Sequence, residues 1–153
     1  FLCTGSWDKK ARVFDVATGK EVKRFEHNGE VWAASFSADG RFLCTGSWDK
    51  TARISQVATS QCTLASDTGA LIFVGSCKEL KRFAHAEEVN AVGFSADGRF
   101  LCTGSKDKTA RIFEVATDQE PTILEHDSPV WAAGFSTDGR FLCTGSKDKT
   151  ARI

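Results

Sequence analysis

Along most of the chain, apolar and polar residues alternate with a period near two rather than 3.6. The runs are short, rich in Phe, Val, Ile and Thr, and end at turn residues, as half-buried strands do. Asp39-Gly40, Asp97-Gly98 and Asp138-Gly139 each fall between FS and RFL, where a hairpin turn is expected. A second turn, Gly-Ser-x-Asp-Lys, separates FLCT from TARIF. The second unit then predicts four strands: a at Val31–Ser37, b at Arg41–Thr45, c at Thr51–Ser55 and d at Lys78–Phe83. No segment has the period of a helix.

The pattern recurs. FLCTGS begins at Phe1, Phe42, Phe100 and Phe141, at spacings of 41, 58 and 41 residues. The middle spacing is the same 41 with 17 residues added. A stretch of sixteen residues starting at Asp39, Asp97 and Asp138 changes only at Trp48, Lys106 and Lys147. Four antiparallel strands in forty-odd residues make one blade of a propeller. A single blade cannot bury both its faces, so stability requires stacking. The expected fold class is all-β, a partial ring of about four to five four-stranded antiparallel blades, with residues 1–153 forming a single arc.

The added residues, Ser60–Ser76, read SQCTLASDTGALIFVGS. Ala65–Ser76 lines up with FSADGRFLCTGS, which predicts the remnant of another a–b hairpin turning at Asp67–Gly69. ALIFVG is too apolar for an open loop. Strands are expected in the order b-c-d, a-b-c, the extra hairpin and d, then a-b-c-d, then a-b-c. The end blades are therefore expected to be unsealed, with apolar faces that soluble monomers avoid. Two copies closing a ring would cover them, as would further blades of a longer chain. The broken first and last motifs favour the longer chain.

The residues that recur together are the His before strand a (His27, His85, His126), the FSxDG hairpin, the TGSxD segment and the TAR strand followed by VATG at Val16–Gly19. In this combination the chain resembles the WD-repeat (WD40) β-propeller family over nearly its whole length. The resemblance implies a buried hydrogen-bonded set in each blade. Carried over by position, these are His27, Thr45 and Asp49; His85, Thr103 and Asp107; and His126, Thr144 and Asp148. The first unit has Thr4 and Asp8 without a His. The family's Trp in strand c is replaced by Phe14, Ser55 and Phe113, so the set is expected to stop at the hydroxyl as a triad. The Gly that usually precedes the His is Glu26, Ala84 or Glu125. A Thr–His–Asp trio also has the membership of a nucleophilic site. Its recurrence in three equivalent places fits a polar network that pins each turn, so no catalytic residue is assigned.

Positions that vary between otherwise identical units are the candidates for binding. Before the turn Asp stand Trp7, Trp48, Lys106 and Lys147; after the first Val of strand a stand Trp32, Asn90 and Trp131. The family pattern places both positions on one rim, where aromatic and cationic groups suit a protein or peptide partner. The resemblance implies a non-catalytic interaction scaffold without cofactor. Two alternatives stand beside it. One is an enzyme or small-ligand binder using the central channel, with Asn90, Glu30 and Glu88 as candidates. The other is a designed or recently amplified repeat with no selected ligand. The basic pairs Lys23-Arg24 and Lys81-Arg82 in strand d are expected to be solvated edge residues.

Charge and cysteines narrow this further. Twenty Lys and Arg balance twenty Asp and Glu, for a net charge of zero. Without a positive excess, neither nucleic acid nor an anionic membrane surface is an expected partner. No apolar run approaches the roughly 20 residues of a spanning helix. Four of the six cysteines, Cys3, Cys44, Cys102 and Cys143, occupy one repeated position. They should face the same way, a repeat apart, beyond the roughly 7 Å a disulfide allows. Buried free thiols are expected, which suit a reducing, cytoplasmic compartment. No CxxC pair or adjacent His–Cys cluster suggests a metal.

Overall fold

A computed structural model describes residues 1–57 and 78–153 together with two short strands at 62–64 and 71–73. It is all-β, with no helix among the described residues. The first sheet joins β1 (Leu2–Gly5), β2 (Lys10–Phe14) and β3 (Glu21–Glu26). The second joins β4 (Val31–Phe36), β5 (Phe42–Ser47), β6 (Thr51–Gln56) and β9 (Glu79–Ala84). Between β6 and β9 the chain forms a separate antiparallel pair, β7 (Cys62–Leu64) with β8 (Leu71–Phe73), in the register Cys62↔Phe73. The turn at Asp67–Gly69 lies outside the described residues. The third sheet joins β10 (Val89–Phe94), β11 (Phe100–Ser105), β12 (Thr109–Glu114) and β13 (Thr122–Glu125). The fourth joins β14 (Val130–Phe135), β15 (Leu142–Ser146) and β16 (Ala151–Arg152). All pairings are antiparallel.

The sheets stack in chain order, with β4 against β1, β10 against β4 and β5, and β14 against β10 and β11. The pleat assigns the two faces. Leu43, on one face of β5, packs back on Val13 with Val57. Cys44 and Ile54, on the other, pack forward on Leu101 and Phe113. Gly46 also faces forward, where a Cβ would lie 2.9 Å from Val89 Cγ1. Glycine is what allows the next sheet to approach so closely.

The same residue types are buried or bare according to whether a following sheet covers them. Leu43 is 0% exposed, yet its counterpart Leu2 is 56% exposed on the outer face of the first sheet. Cys44 and Cys102 are buried; Cys143 is exposed on the outer face of the fourth. This corrects the expectation that all four repeated thiols are buried. Side-chain direction is fixed by the pleat, but burial needs a neighbour, and among the described residues none covers the fourth sheet on that face.

The b–c turn is built identically each time. Lys9, Lys50, Lys108 and Lys149 all have φ between 68° and 70°. This is the left-handed residue that follows a type I turn, and Lys50 N–H donates to Ser47 O at 3.2 Å. The Asp-Gly pair forms the second half of a wider turn. Gly40, at φ 68°, donates to Ser37 O, and Ser37 N–H donates to Phe42 O.

Candidate functional site

One end of the arc gathers the b–c turns, the histidine loops and the start of each innermost strand. His27 N–H donates to Lys9 O, which ties the loop before β4 to the turn of the preceding sheet. The structure brings His27, Thr45 and Asp49 together. His27 Nδ1 lies 3.0 Å from Asp49 Oδ2, and Nε2 lies 2.7 Å from Thr45 Oγ1. His85 makes the corresponding contacts with Asp107 at 2.9 Å and Thr103 at 2.8 Å. His126 does so with Asp148 at 3.3 Å and Thr144 at 3.0 Å. An ionised carboxylate only accepts, so in the second and third sheets Nδ1 carries the proton and the threonine hydroxyl donates to Nε2.

Burial lowers the pKa of His27, helped by the Arg53 charge and opposed by Asp49. Burial likewise lowers that of His85 against the pull of Asp107. For Asp49, burial works against ionisation. The bonds from Thr51, the Asn28 N–H and His27 outweigh it and hold the carboxyl down at about 2. Asp107 is held at about 2 in the same way by Thr109 and His85.

The arginine of TAR was not foreseen as part of this network. Arg53 Nη2 donates to Asp49 Oδ2 at 2.6 Å and Nη1 donates to Glu26 O at 3.0 Å in the preceding sheet. Arg111 repeats both bonds with Asp107 and Ala84 O, and Arg12 pairs with Asp8. The signal was in the sequence as D-x-x-x-R in every unit. Its meaning depends on the turn bringing Asp and Arg to one face.

At Ser55 the network borders a gap. Its counterpart Phe113 packs on Phe83, with ring centroids 4.2 Å apart, and edge-on to His85. With only a hydroxymethyl there, Phe25, His27, Thr45 and Ser55 line a cavity of about 230 Å³.

The rim positions separate into distinct surroundings. Trp32, Asn90 and Trp131 each sit at a register shift at the start of their strand, between Val31 and Ala33, Val89 and Ala91, and Val130 and Ala132. Such a bulge turns one extra residue out of the ladder, which aims these side chains along the rim. Trp32 stacks on Trp48 at a centroid distance of 5.2 Å with planes 9° apart, and Trp7 lies tilted against Trp32 at 5.9 Å and 34°. All three rings remain exposed, Trp7 by 71%. Trp32 Nε1–H donates to Glu30 Oε2 at 3.3 Å.

In the third sheet the same positions hold different groups. Lys106 pairs with Glu88 at 3.2 Å, and Asn90 Nδ2 donates to Val130 O at 3.0 Å, across to the fourth sheet. Trp131 is exposed in the fourth, whose turn carries Lys147. Lys81 is not a purely solvated edge residue, since its Nζ reaches Asp118 at 3.0 Å. Arg24 and Arg82 pair with Glu21 and Glu79 along their own strands. Among the described residues no group of His, Cys, Asp and Glu could hold a metal ion, and no helix is long and apolar enough to cross a membrane.

Sheets of up to four antiparallel strands, stacked in chain order with a polar network at each b–c turn, define an arc of a β-propeller. The chain belongs to the WD-repeat family: the family model described as "WD domain, G-beta repeat" matches residues 19–54, 77–114 and 118–153. It is similar to a guanine nucleotide-binding protein subunit beta of Arabidopsis thaliana, 30% identical over 115 residues, 72% of this chain and 28% of the relative. It is also similar to a serine-threonine kinase receptor-associated protein of Gallus gallus, 28% identical over 127 residues, 81% of this chain and 31% of the relative. The chain thus spans about three-tenths of the length of these curated relatives.

Proposed function

We propose that this arc is a non-catalytic interaction scaffold that takes a protein or peptide on the rim carrying Trp7, Trp32, Trp48, Asn90, Lys106, Trp131 and Lys147. The observation that carries this reading is a solvent-exposed tryptophan cluster in which Trp32 stacks on Trp48 and Trp7 lies tilted against Trp32. Tryptophan is the side chain most enriched among residues that dominate binding energy, and water-exposed indoles gain most by being covered. Two relatives of the chain carry names of signalling components, a G-protein subunit and a receptor-associated protein, which fits assembly rather than turnover. The His–Asp–Thr trios act as structural ties: Thr103 and Thr144 are sealed beneath packed neighbours, so no substrate reaches their hydroxyls. The bare outer faces of the first and fourth sheets are covered by another blade in the working particle, contributed by a second copy or by additional chain.

Selection of a random peptide library on the immobilised chain tests the rim reading. Selected peptides should lose at least tenfold in affinity for the W7A/W32A double variant. They should keep their affinity for a variant altered at the opposite, FSxDG end, such as Arg99→Ala. Equal binding to all three chains would overturn the reading.

A further inference from the structure

The internal repeat itself points to the chemistry of the partner. In the third sheet Glu88 stands beside Lys106, whose ammonium supplies a cation at 3.2 Å. Glu30 occupies the same place in the second sheet. The equivalence is fixed by the backbone, where Trp48 N–H donates to Glu30 O and Lys106 N–H donates to Glu88 O. Trp48 replaces the lysine there, so the carboxylate keeps its position and loses its cation. Among the described residues no Lys, Arg or His lies within ion-pairing distance of Glu30. Its Oε2 accepts the Trp32 indole N–H at 3.3 Å, the one side-chain bond to this carboxylate among the described residues. Beside this anion stand the rings of Trp7, Trp32 and Trp48, whose faces are negative in the ring quadrupole.

We propose that the Glu30–Trp7–Trp32–Trp48 cluster binds the guanidinium of an arginine on a partner peptide. Three features favour this occupant. The site already holds a carboxylate for which the sister unit supplies a basic side chain. Guanidinium is planar and weakly hydrated, so it stacks on indole while its N–H fork reaches a carboxylate. Trp48 stays 42% exposed and Trp7 71% exposed beside the Trp32 ring, which leaves indole surface free for such a contact. In the third sheet the equivalent place is filled from within by Lys106, and Asn90 stands where the central ring would be. The second sheet is therefore the selective one. This assignment rests on the rim reading above and adds to it the charge and shape of the group recognised.

The probes are N-acetylarginine methylamide and its neutral isostere, N-acetylcitrulline methylamide. Each is titrated against the chain, following the side-chain N–H signals of the four tryptophans by NMR. Arginine is expected to shift the Trp7, Trp32 and Trp48 signals with an affinity at least tenfold that of citrulline. Trp48→Lys, which writes into the second unit the residue found at Lys106 and Lys147, leaves the turn folded and should abolish the shift by supplying an internal cation to Glu30. Glu30→Gln should weaken arginine at least fivefold and leave citrulline unchanged. Equal responses to arginine and citrulline, no response to arginine, or an unaltered response in W48K would each overturn the proposal. Peptides selected as above that need Trp7 and Trp32 but no arginine would overturn this assignment alone. Selected peptides indifferent to both tryptophans would overturn the rim reading with it.

Discussion

At the residue scale, the second and third sheets are each closed by a neutral histidine held between a carboxylate and a hydroxyl. Folded His27 and His85 titrate below their ordinary value of 6.5, because burial disfavours the imidazolium. As pH falls through that value the unfolded chain takes up protons first, so the stability they contribute is present above about pH 6.5 and decreases below it until the folded histidines also titrate. Asp49 and Asp107, at about 2 in the fold against an ordinary 3.8, add a second loss between roughly pH 4 and pH 2. Urea midpoints measured from pH 8 to pH 3 should fall in two stages. His85→Gln should remove most of its share of the first stage while lowering stability throughout. A midpoint that rises on acidification below pH 6.5 would contradict the neutral assignment.

Ser55 is a residue-scale defect with a template in the same chain. Ser55→Phe is expected to settle on Phe25 and His27 as Phe113 settles on Phe83 and His85. It should raise stability by about 1 kcal/mol, read as a higher urea midpoint with an unchanged slope. A lower midpoint would mean that the first and second sheets cannot hold a ring between them.

At the scale of elements, the close approach of one sheet to the next depends on the glycine in each b strand. A Cβ at Gly46 would meet Val89 and Val92, and one at Gly104 would meet Val130. At Gly145 the nearest atom is Ala132 Cβ at 3.6 Å. Gly46→Ala should therefore cost about 1–3 kcal/mol through overpacking, while Gly145→Ala stays within about 0.5 kcal/mol. Thermal unfolding of the two variants checks the contrast, and equal losses would mean that the approach of the next sheet does not govern this position. The bulges at Trp32, Asn90 and Trp131 belong to this scale too. Their residues are visible in the sequence, but the turn of the side chain onto the rim comes from one extra residue facing Ser47, Ser105 or Ser146.

At the scale of the molecule, the exposed outer faces set the behaviour in solution. Alkylation followed by mass spectrometry should modify Cys143 rapidly and leave Cys44 and Cys102 protected until unfolding. Burial raises both of the latter thiols, Cys102 to about 12. If a second copy covers the fourth sheet, Cys143 should become protected as concentration rises, in step with a doubling of the native mass. Protection of Cys143 in a dilute monomer would contradict the exposed face.

The sequence by itself determined the strands, their period and the two turns, because these are local or repeat at fixed spacing; the partners of each histidine came from the resemblance to the WD-repeat family. A period of two and a turn residue carry the same meaning in any context. The tertiary structure decided the rest. Whether a cysteine is buried depends on the next sheet, so four identical positions have different fates. The arginine of TAR joins the network only once the turn folds it over Asp49. Asn90 is tied across to Val130 O, and three tryptophans far apart in the chain form one cluster, because neighbouring sheets bring their rims together. These are contacts between units, and a repeat written identically contains no local mark of which neighbour it will meet.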